Sequence, residues 1–233
     1  MADYTLQQTG SSFGFNSYDA SQHSIFANLI YRNAFSDEHE LMAGVNATVD
    51  LLQEDVRGGG QILSGVRNRP VQIAPYAEYT YRYEERLAVV AGLSGTTIPG
   101  YGFYPVPRLT VRYQPFEPLV VRFNGGRGLR LANPVADNIG ILSTGKRLVG
   151  DLTERVLEDA WTFGGNATLY FGETAYLSLD YFHTRFNSAL LTDREAPDAI
   201  SLYSLDGHRA WSDNFQADFN VELFDRLTLT LTG

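Results

Sequence analysis

The stretch PRLTVRYQPFEPLVVRFNGGRGLRLANP, from Pro107 to Pro134, contains two segments in which apolar and polar residues alternate. A short turn joins them, and a glycine- and arginine-rich segment follows. Successive side chains of a β-strand point to opposite faces. Leu109 and Val111 therefore share one face of the first strand, and Arg108 and Arg112 share the other. The stretch predicts a β-hairpin with one apolar face and one charged face.

The same alternation recurs along the chain and predicts about eleven strands. No segment has convincing helical periodicity, so the sequence predicts an all-β fold. The alternating segments are residues 4–9, 24–33, 41–51, 74–83, 87–93, 107–113, 119–124, 161–171, 175–187, 214–223 and 227–232.

The connections between these strands alternate in length. Short turns and long loops in strict alternation predict an antiparallel up-and-down sheet, as in transmembrane β-barrels. All short turns then lie at one rim of the sheet, called here the tight rim, and all long loops lie at the other. A soluble sandwich with crossing connections would not usually keep this order. The short turns are residues 36–38, 84–86, 115–118, 172–174 and 224–226, and the long connections are residues 53–71, 94–106, 125–160 and 188–212.

Composition narrows the possible functions. The 233 residues carry a formal net charge of −9, which argues against a nucleic-acid partner, because phosphate binding needs a basic surface. The chain has no cysteine, which excludes disulfides and thiolate metal sites. The histidines show no close metal-ligand spacing, so we predict no metal site and no cofactor; they are His23, His39, His183 and His208.

One strand face carries too many charges for a dry core, because an unpaired buried charge is costly. We therefore predict that this face lines a wet lumen. Aromatic residues such as Tyr79 and Tyr113 gather near the short turns on the other face, as expected for the interfacial girdle of a membrane barrel. The predicted lumen-facing residues are Glu78, Arg82, Arg108, Arg112, Arg122, Asp180, Asp218 and Glu222.

Three stretches resemble the barrel of bacterial TonB-dependent outer-membrane receptors, especially those of the Bacteroidetes type. Pro105 to Tyr113 is similar to a motif in which proline and arginine precede an alternating strand. Gly126 to Pro134 is similar to the segment that begins an extracellular loop in this family. Leu157 to Gly164 resembles the acidic motif that starts the next strand. The resemblance extends loosely from residue 21 to residue 232.

The resemblance implies a barrel of ~22 strands with a plugged lumen, of which about eleven strands are found here. We therefore interpret residues 1–233 as a partial transmembrane β-barrel. The family's N-terminal plug domain and its TonB-contacting box are missing, and the chain ends in mid-strand without a terminal aromatic residue. With two open sheet edges, the isolated chain is not expected to transport.

The same resemblance implies a location and partners. The intact protein would lie in the bacterial outer membrane, in contact with lipid, and would couple to TonB through the plug domain. It would bind and import a scarce nutrient, which the sequence leaves open among a siderophore, cobalamin, a glycan and a peptide.

Three residues of the loop mouth are candidates for contacts with a ligand or with the plug: Arg127, Arg130 and Asn133. The two arginines could hold an anionic ligand, or a carboxylate of the plug, through bidentate hydrogen bonds. In the alternative interpretation they tie the long loop to neighbouring lumen carboxylates.

Other functions are less well supported by the sequence. A barrel without energy coupling, acting as a pore or adhesin, and a soluble β-sandwich binding module are the alternatives. An enzyme is not expected, because no nucleophile, base and orienting acid occur together. A carboxylate cluster is interpreted as surface charge beside a strand; it consists of Asp151, Glu154, Glu158 and Asp159.

Overall fold

The computed structural model describes residues 1–58, 61–98, 100–150, 155–205, 207–224 and 227–233. Two carboxylates of the predicted surface cluster, Asp151 and Glu154, lie outside these ranges. So do residues 225–226 of the last short turn.

Within the described ranges the chain forms fifteen β-strands and one 3₁₀ segment at Ala136–Thr144. No helix there is long and apolar enough to cross a membrane. The strands are β1 (Ala2–Phe13), β2 (Asn16–Ala34), β3 (His39–Gly58), β4 (Gln61–Asn68), β5 (Val71–Tyr83), β6 (Leu87–Ile98), β7 (Gly102–Phe116), β8 (Leu119–Ala132), β9 (Arg147–Val149), β10 (Val156–Phe171), β11 (Ala175–Ser188), β12 (Leu190–Asp193), β13 (Ala199–Ser204), β14 (Ala210–Phe224) and β15 (Leu227–Thr232).

The main sheet is an antiparallel meander with the strand order β1-β2-β3-β5-β6-β7-β8-β10-β11-β14-β15. Each of the eleven segments predicted from alternation is one of these strands. β4 is an extension of β5, because both pair with β3 in the same register: Leu52 lies opposite Asn68, and Val49 opposite Val71. Pro70 interrupts this extended strand.

The predicted long loops were partly wrong. Residues 94–106 are mostly strand, since β6 runs to Ile98 and β7 begins at Gly102. Likewise, β8 continues through the glycine-rich motif to Ala132. Residues 188–212 include β12 and β13, which form a small separate sheet with β9. These strand segments were not predicted, because strand pairing continues where the apolar alternation of the sequence has stopped.

The register of the main sheet assigns every strand residue to one of two faces, because directly paired residues of antiparallel strands point to the same side. Glu78 lies opposite Gly92, which lies opposite Arg108, which lies opposite Gly126. Tracing all pairs in this way places the eight residues predicted to face the lumen on one side of the sheet, called here the polar face.

The opposite side, called here the apolar face, exposes large hydrophobic side chains. Leu29 is 72% exposed and Phe215 is 66% exposed. On β3 every second residue from Leu41 to Leu51 is apolar and lies on this face. A strand tilted by ~45° rises about 24 Å over such a length, close to the height of the apolar band of a membrane barrel.

The polar face is the concave side of the sheet. Asn133 directly follows β8, and its Nδ2 donates a 2.6 Å hydrogen bond to Oε2 of Glu54 in β3. These strands are four neighbours apart, about 19 Å along a flat sheet. Their polar-face groups can meet only if the sheet curls towards that face.

The connection between β8 and β10 crosses this concave side and packs against the far strands. Ile141 and Leu142 of the 3₁₀ segment are buried with Tyr18 of β2 and Val56 of β3. The side-chain amide of Asn16 also donates to the Leu142 carbonyl at 2.8 Å. This cluster is the largest buried apolar core of the described residues, and it fixes the loop over the polar face.

Candidate functional site

A cavity of about 640 Å³ lies on the polar face at the rim of the long connections. Residues of β1, β2, β3, β5, β6 and β8 contribute to its wall, and the 3₁₀ segment covers part of it. The polar and charged lining residues are Gln7, Thr9, Tyr18, Gln22, Asp50, Gln72, Thr96, Arg130, Asn133, Asp137 and Arg155.

A buried carboxylate lies beside this cavity. Glu54 is 1% exposed, and its Oε2 accepts hydrogen bonds from the Tyr18 hydroxyl at 3.2 Å and from Asn133. Its Oε1 has no hydrogen-bond partner in the described part of the chain, and neither has the buried Nε of Arg155. Burial, and then the charge of Glu54, raise the pKa of Tyr18 above its ordinary range, so this hydroxyl stays a donor.

Asn133 fixes the start of the covering segment. Its Oδ1 accepts hydrogen bonds from the backbone N–H groups of Val135 and Ala136, each at 3.2 Å. A side chain that bonds the backbone two residues ahead forms an Asx-turn, which the sequence Asn133-Pro134 favours. The same amide therefore shapes the loop and contacts the buried carboxylate of Glu54.

Arg130 lines the cavity and is paired with carboxylates of its own chain. Its Nε donates to Glu158 at 2.8 Å, and its Nη2 lies 3.2 Å from Asp137 in the 3₁₀ segment. These contacts are those of the alternative interpretation, in which the arginine ties the loop to nearby carboxylates. A contact of Arg130 or Asn133 with a ligand or with the plug stays a prediction.

Arg127 lies at a split between β7 and β8. The two strands pair with each other only between Arg108 and the short turn. On the loop side of Arg108, β7 pairs only with β6, and β8 pairs only with β10. Pro105 and Pro107, two residues apart, face the same neighbouring strand and offer it no N–H group. Nη1 of Arg127 donates to the Pro105 carbonyl at 3.1 Å, so the guanidinium bridges the split.

The same guanidinium forms a bidentate pair with Asp159, with bonds of 2.8 and 3.0 Å, and both side chains are about 15% exposed or less. Asn187 donates to the same carboxylate at 3.0 Å. The register places Arg127 on the apolar face, at the loop-side boundary of the apolar band, and it is not among the described lining residues of the cavity. Its predicted contact with a ligand or with the plug is not tested by this geometry.

The Arg127–Asp159 pair predicts an acid-sensitive contact at this rim. Its hydrogen bonds lower the pKa of Asp159 below 3.8, so the pair stabilises the fold above that pH and loses this contribution as the pH falls below it. We expect Asp159→Asn to destabilise the protein at neutral pH and to remove part of the stability loss that wild type shows as the pH falls below about 4. Denaturant titrations across this pH range measure both effects.

A matched control is Asp193→Asn, at an exposed carboxylate in the small sheet. An acid-induced stability loss of the same size in wild type and in Asp159→Asn would contradict the assignment.

The predicted lumen-facing charges are largely engaged with neighbouring strands. Arg108 pairs with Glu78, and Arg82 lies 3.4 Å from Glu40. Arg112 donates to the Glu85 carbonyl at 2.8 Å. Further bonds link Arg122 to Asn166 at 3.2 Å, and Asn166 to Asp180 at 2.9 Å. Asp218 accepts a bond from Gln216 of its own strand at 2.8 Å. That this face lines a lumen in the intact protein stays a prediction.

The described residues contain no group of three or more histidine and acidic side chains that could hold a metal ion. Three histidines instead contact single polar side chains: His23 contacts Tyr4 at 2.7 Å, His39 contacts Tyr79, and His183 contacts Asp213 at 2.8 Å.

Several residues that line the cavity or lie beside it were not predicted from the sequence as site residues. Tyr18 and Glu54 lay outside the strands predicted from alternation, and Asp137 and Arg155 lay within a predicted loop. The only local signal was the Asn133-Pro134 turn, because the contacts join strands distant in the chain.

Solved structures with a similar fold include the siderophore receptor PirA from Pseudomonas aeruginosa, with a TM-score of 0.70 and 15% identity over 100% of this chain. A mutant of the ferric enterobactin receptor PfeA from the same organism, in complex with enterobactin, has a TM-score of 0.67 and 11% identity over 93% of the chain. The FrpB iron transporter from Neisseria meningitidis has a TM-score of 0.59 and 13% identity over 93%.

This chain spans 47%, 36% and 35% of those three proteins, respectively, and thus less than half of their length. No protein-family profile matches the sequence, and no curated protein matches it. The structural likeness confirms the predicted fold, part of an antiparallel up-and-down barrel as in TonB-dependent receptors. These neighbours are receptors and a transporter rather than enzymes.

Proposed function

We propose that this chain is part of the barrel of a TonB-dependent outer-membrane receptor, which binds a scarce nutrient outside the cell and imports it. The observation that carries the proposal is the two-faced curled sheet: a band of exposed apolar side chains on the convex side and a charged, hydrogen-bonded concave side. Lipid can cover the first face and a hydrated lumen the second.

The candidate ligand site is the cavity at the rim of the long connections. It offers guanidinium groups from Arg130 and Arg155, carboxylates from Asp50 and Asp137 and amide groups, all suited to a polar, charged small molecule. Among the nutrients left open by the sequence, a ferric siderophore has the most support, because structural neighbours are siderophore receptors. Energy would come from TonB through a plug domain.

Uptake by cells that carry the native gene tests this proposal. Iron-limited cells are given radiolabelled ferric siderophores, with and without a protonophore that collapses the inner-membrane gradient. We expect saturable uptake that is lost with the protonophore and in a strain lacking TonB. Uptake that rises linearly with siderophore concentration and is unaffected by the protonophore would support a passive pore instead. Water-soluble protein that never enters lipid vesicles would contradict both membrane functions.

A further inference from the structure

One cross-strand row on the apolar face alternates arginine and tryptophan. Arg127 of β8 lies opposite Trp161 of β10, which lies opposite Arg185 of β11, which lies opposite Trp211 of β14. Directly opposed residues have Cβ atoms about 4.5–5.5 Å apart, so these side chains are lateral neighbours. The row contains both tryptophans of the sequence.

The row lies at the loop-side boundary of the apolar band. Trp161 is ten residues before Phe171, the last residue of β10 at the tight rim. That separation equals the apolar run of Leu41 to Leu51 on β3, and it corresponds to a height of about 24 Å for a strand tilted by ~45°. The row is therefore at the depth where a bilayer changes from acyl chains to headgroups.

The two arginines of the row differ in their charge balance. Arg127 is neutralised by Asp159 through the bidentate pair. Arg185 is exposed and forms no ion pair with a described carboxylate. The row thus presents one uncompensated cation between two indoles, and Trp211 is 67% exposed.

The adjacent row, closer to the tight rim, contains one carboxylate, Asp213, which forms no ion pair with Arg185 in the described part of the chain. The carboxylate of Asp213 accepts hydrogen bonds from the Tyr181 hydroxyl at 2.7 Å and from His183 Nδ1 at 2.8 Å. Phe163 stacks on Trp161 with ring centroids 6.0 Å apart, which continues the apolar surface below the indole. Acyl chains can cover the rings of Trp161 and Phe163 while a headgroup stays level with Arg185.

We propose that Arg185, between Trp161 and Trp211, binds the phosphate of a membrane lipid headgroup on the loop side of the bilayer. A guanidinium forms charge-assisted, bidentate hydrogen bonds with phosphate oxygens, and indoles favour the interfacial depth. The inference rests on the proposed function as a membrane barrel. It adds a defined lipid site, on the face opposite the ligand cavity.

Native mass spectrometry of the detergent-purified intact receptor that contains this chain, titrated with phosphatidylglycerol, tests the site. Wild type is expected to bind this anionic lipid more tightly than phosphatidylcholine. Arg185→Gln should weaken phosphatidylglycerol binding about five- to tenfold, and Arg185→Lys should restore part of it. The control is Arg86→Gln at the tight rim, where the side chain is 70% exposed, and it should leave the affinity unchanged.

Equal phosphatidylglycerol affinity in wild type and Arg185→Gln overturns the inference. Displacement of the lipid by excess inorganic phosphate alone also overturns it, since that result indicates a site for free anions. Vesicle flotation separates this failure from that of the proposed function. Intact receptor that floats with phosphatidylcholine vesicles but shows no effect of Arg185→Gln refutes only the lipid site, whereas intact receptor that never floats refutes the membrane barrel.

Discussion

Replacing Val111 by arginine is expected to lower the free energy of unfolding from a bilayer by about 2–4 kcal/mol, the cost of a cation at the midplane on the lipid face. Val111 lies on the apolar face, opposite Val89 of β6 and Phe123 of β8. It is five residues from the end of β7 at the tight rim, near the middle of the apolar band. Phe219→Arg on β14 should have a cost of the same size.

The matched control is Thr110→Arg, one residue away on the polar face, where its register partners are Val90 and Asn124. We expect this change to be close to neutral, because the guanidinium reaches water. Denaturant titration of the intact receptor folded into phospholipid vesicles, followed by tryptophan fluorescence, gives the three free energies. Equal costs for Val111→Arg and Thr110→Arg would contradict the assignment of the two faces.

These faces were predictable from the sequence because a membrane strand must keep one side apolar. A shift of one residue would expose the charges of a strand such as β14 to lipid, so the alternation fixes register as well as position. All eleven strands of the meander were therefore found. Their loop-side ends were not found, because beyond the bilayer the outer side of a strand is no longer required to be apolar, so the alternation loses its physical cause there.

The candidate site was predictable only in part. Arg130 and Asn133 were recognised because they lie in a motif that resembles a known family. Glu54, by contrast, meets Asn133 through the curl of the sheet across four strands. No local pattern encodes such a contact, since it depends on curvature and on the path of the long connection. The small sheet of β9, β12 and β13 was missed for the same reason.

Ile141→Ala is expected to destabilise the covering segment by about 2–5 kcal/mol, the usual range for truncating a buried aliphatic side chain to alanine. Ile141 is 1% exposed and packs with Tyr18 and Val56 of the far strands. Polar contacts also hold the segment, namely the Arg130–Asp137 ion pair and the hydrogen bonds from Asn16 to Leu142 and from Thr192 to Asn138. Loss of this packing should free the segment while the membrane strands remain paired.

Amide hydrogen exchange distinguishes this local effect from global unfolding. We expect faster exchange across residues 136–149 in Ile141→Ala and unchanged protection at the centre of β7 and β8. Ile30→Ala is the control, because Ile30 is 55% exposed and its truncation leaves no buried void. The covering segment forms one wall of the cavity, so Ile141→Ala should also weaken binding of any ligand held there. Unchanged exchange in the segment would mean that the apolar cluster does not hold it over the polar face.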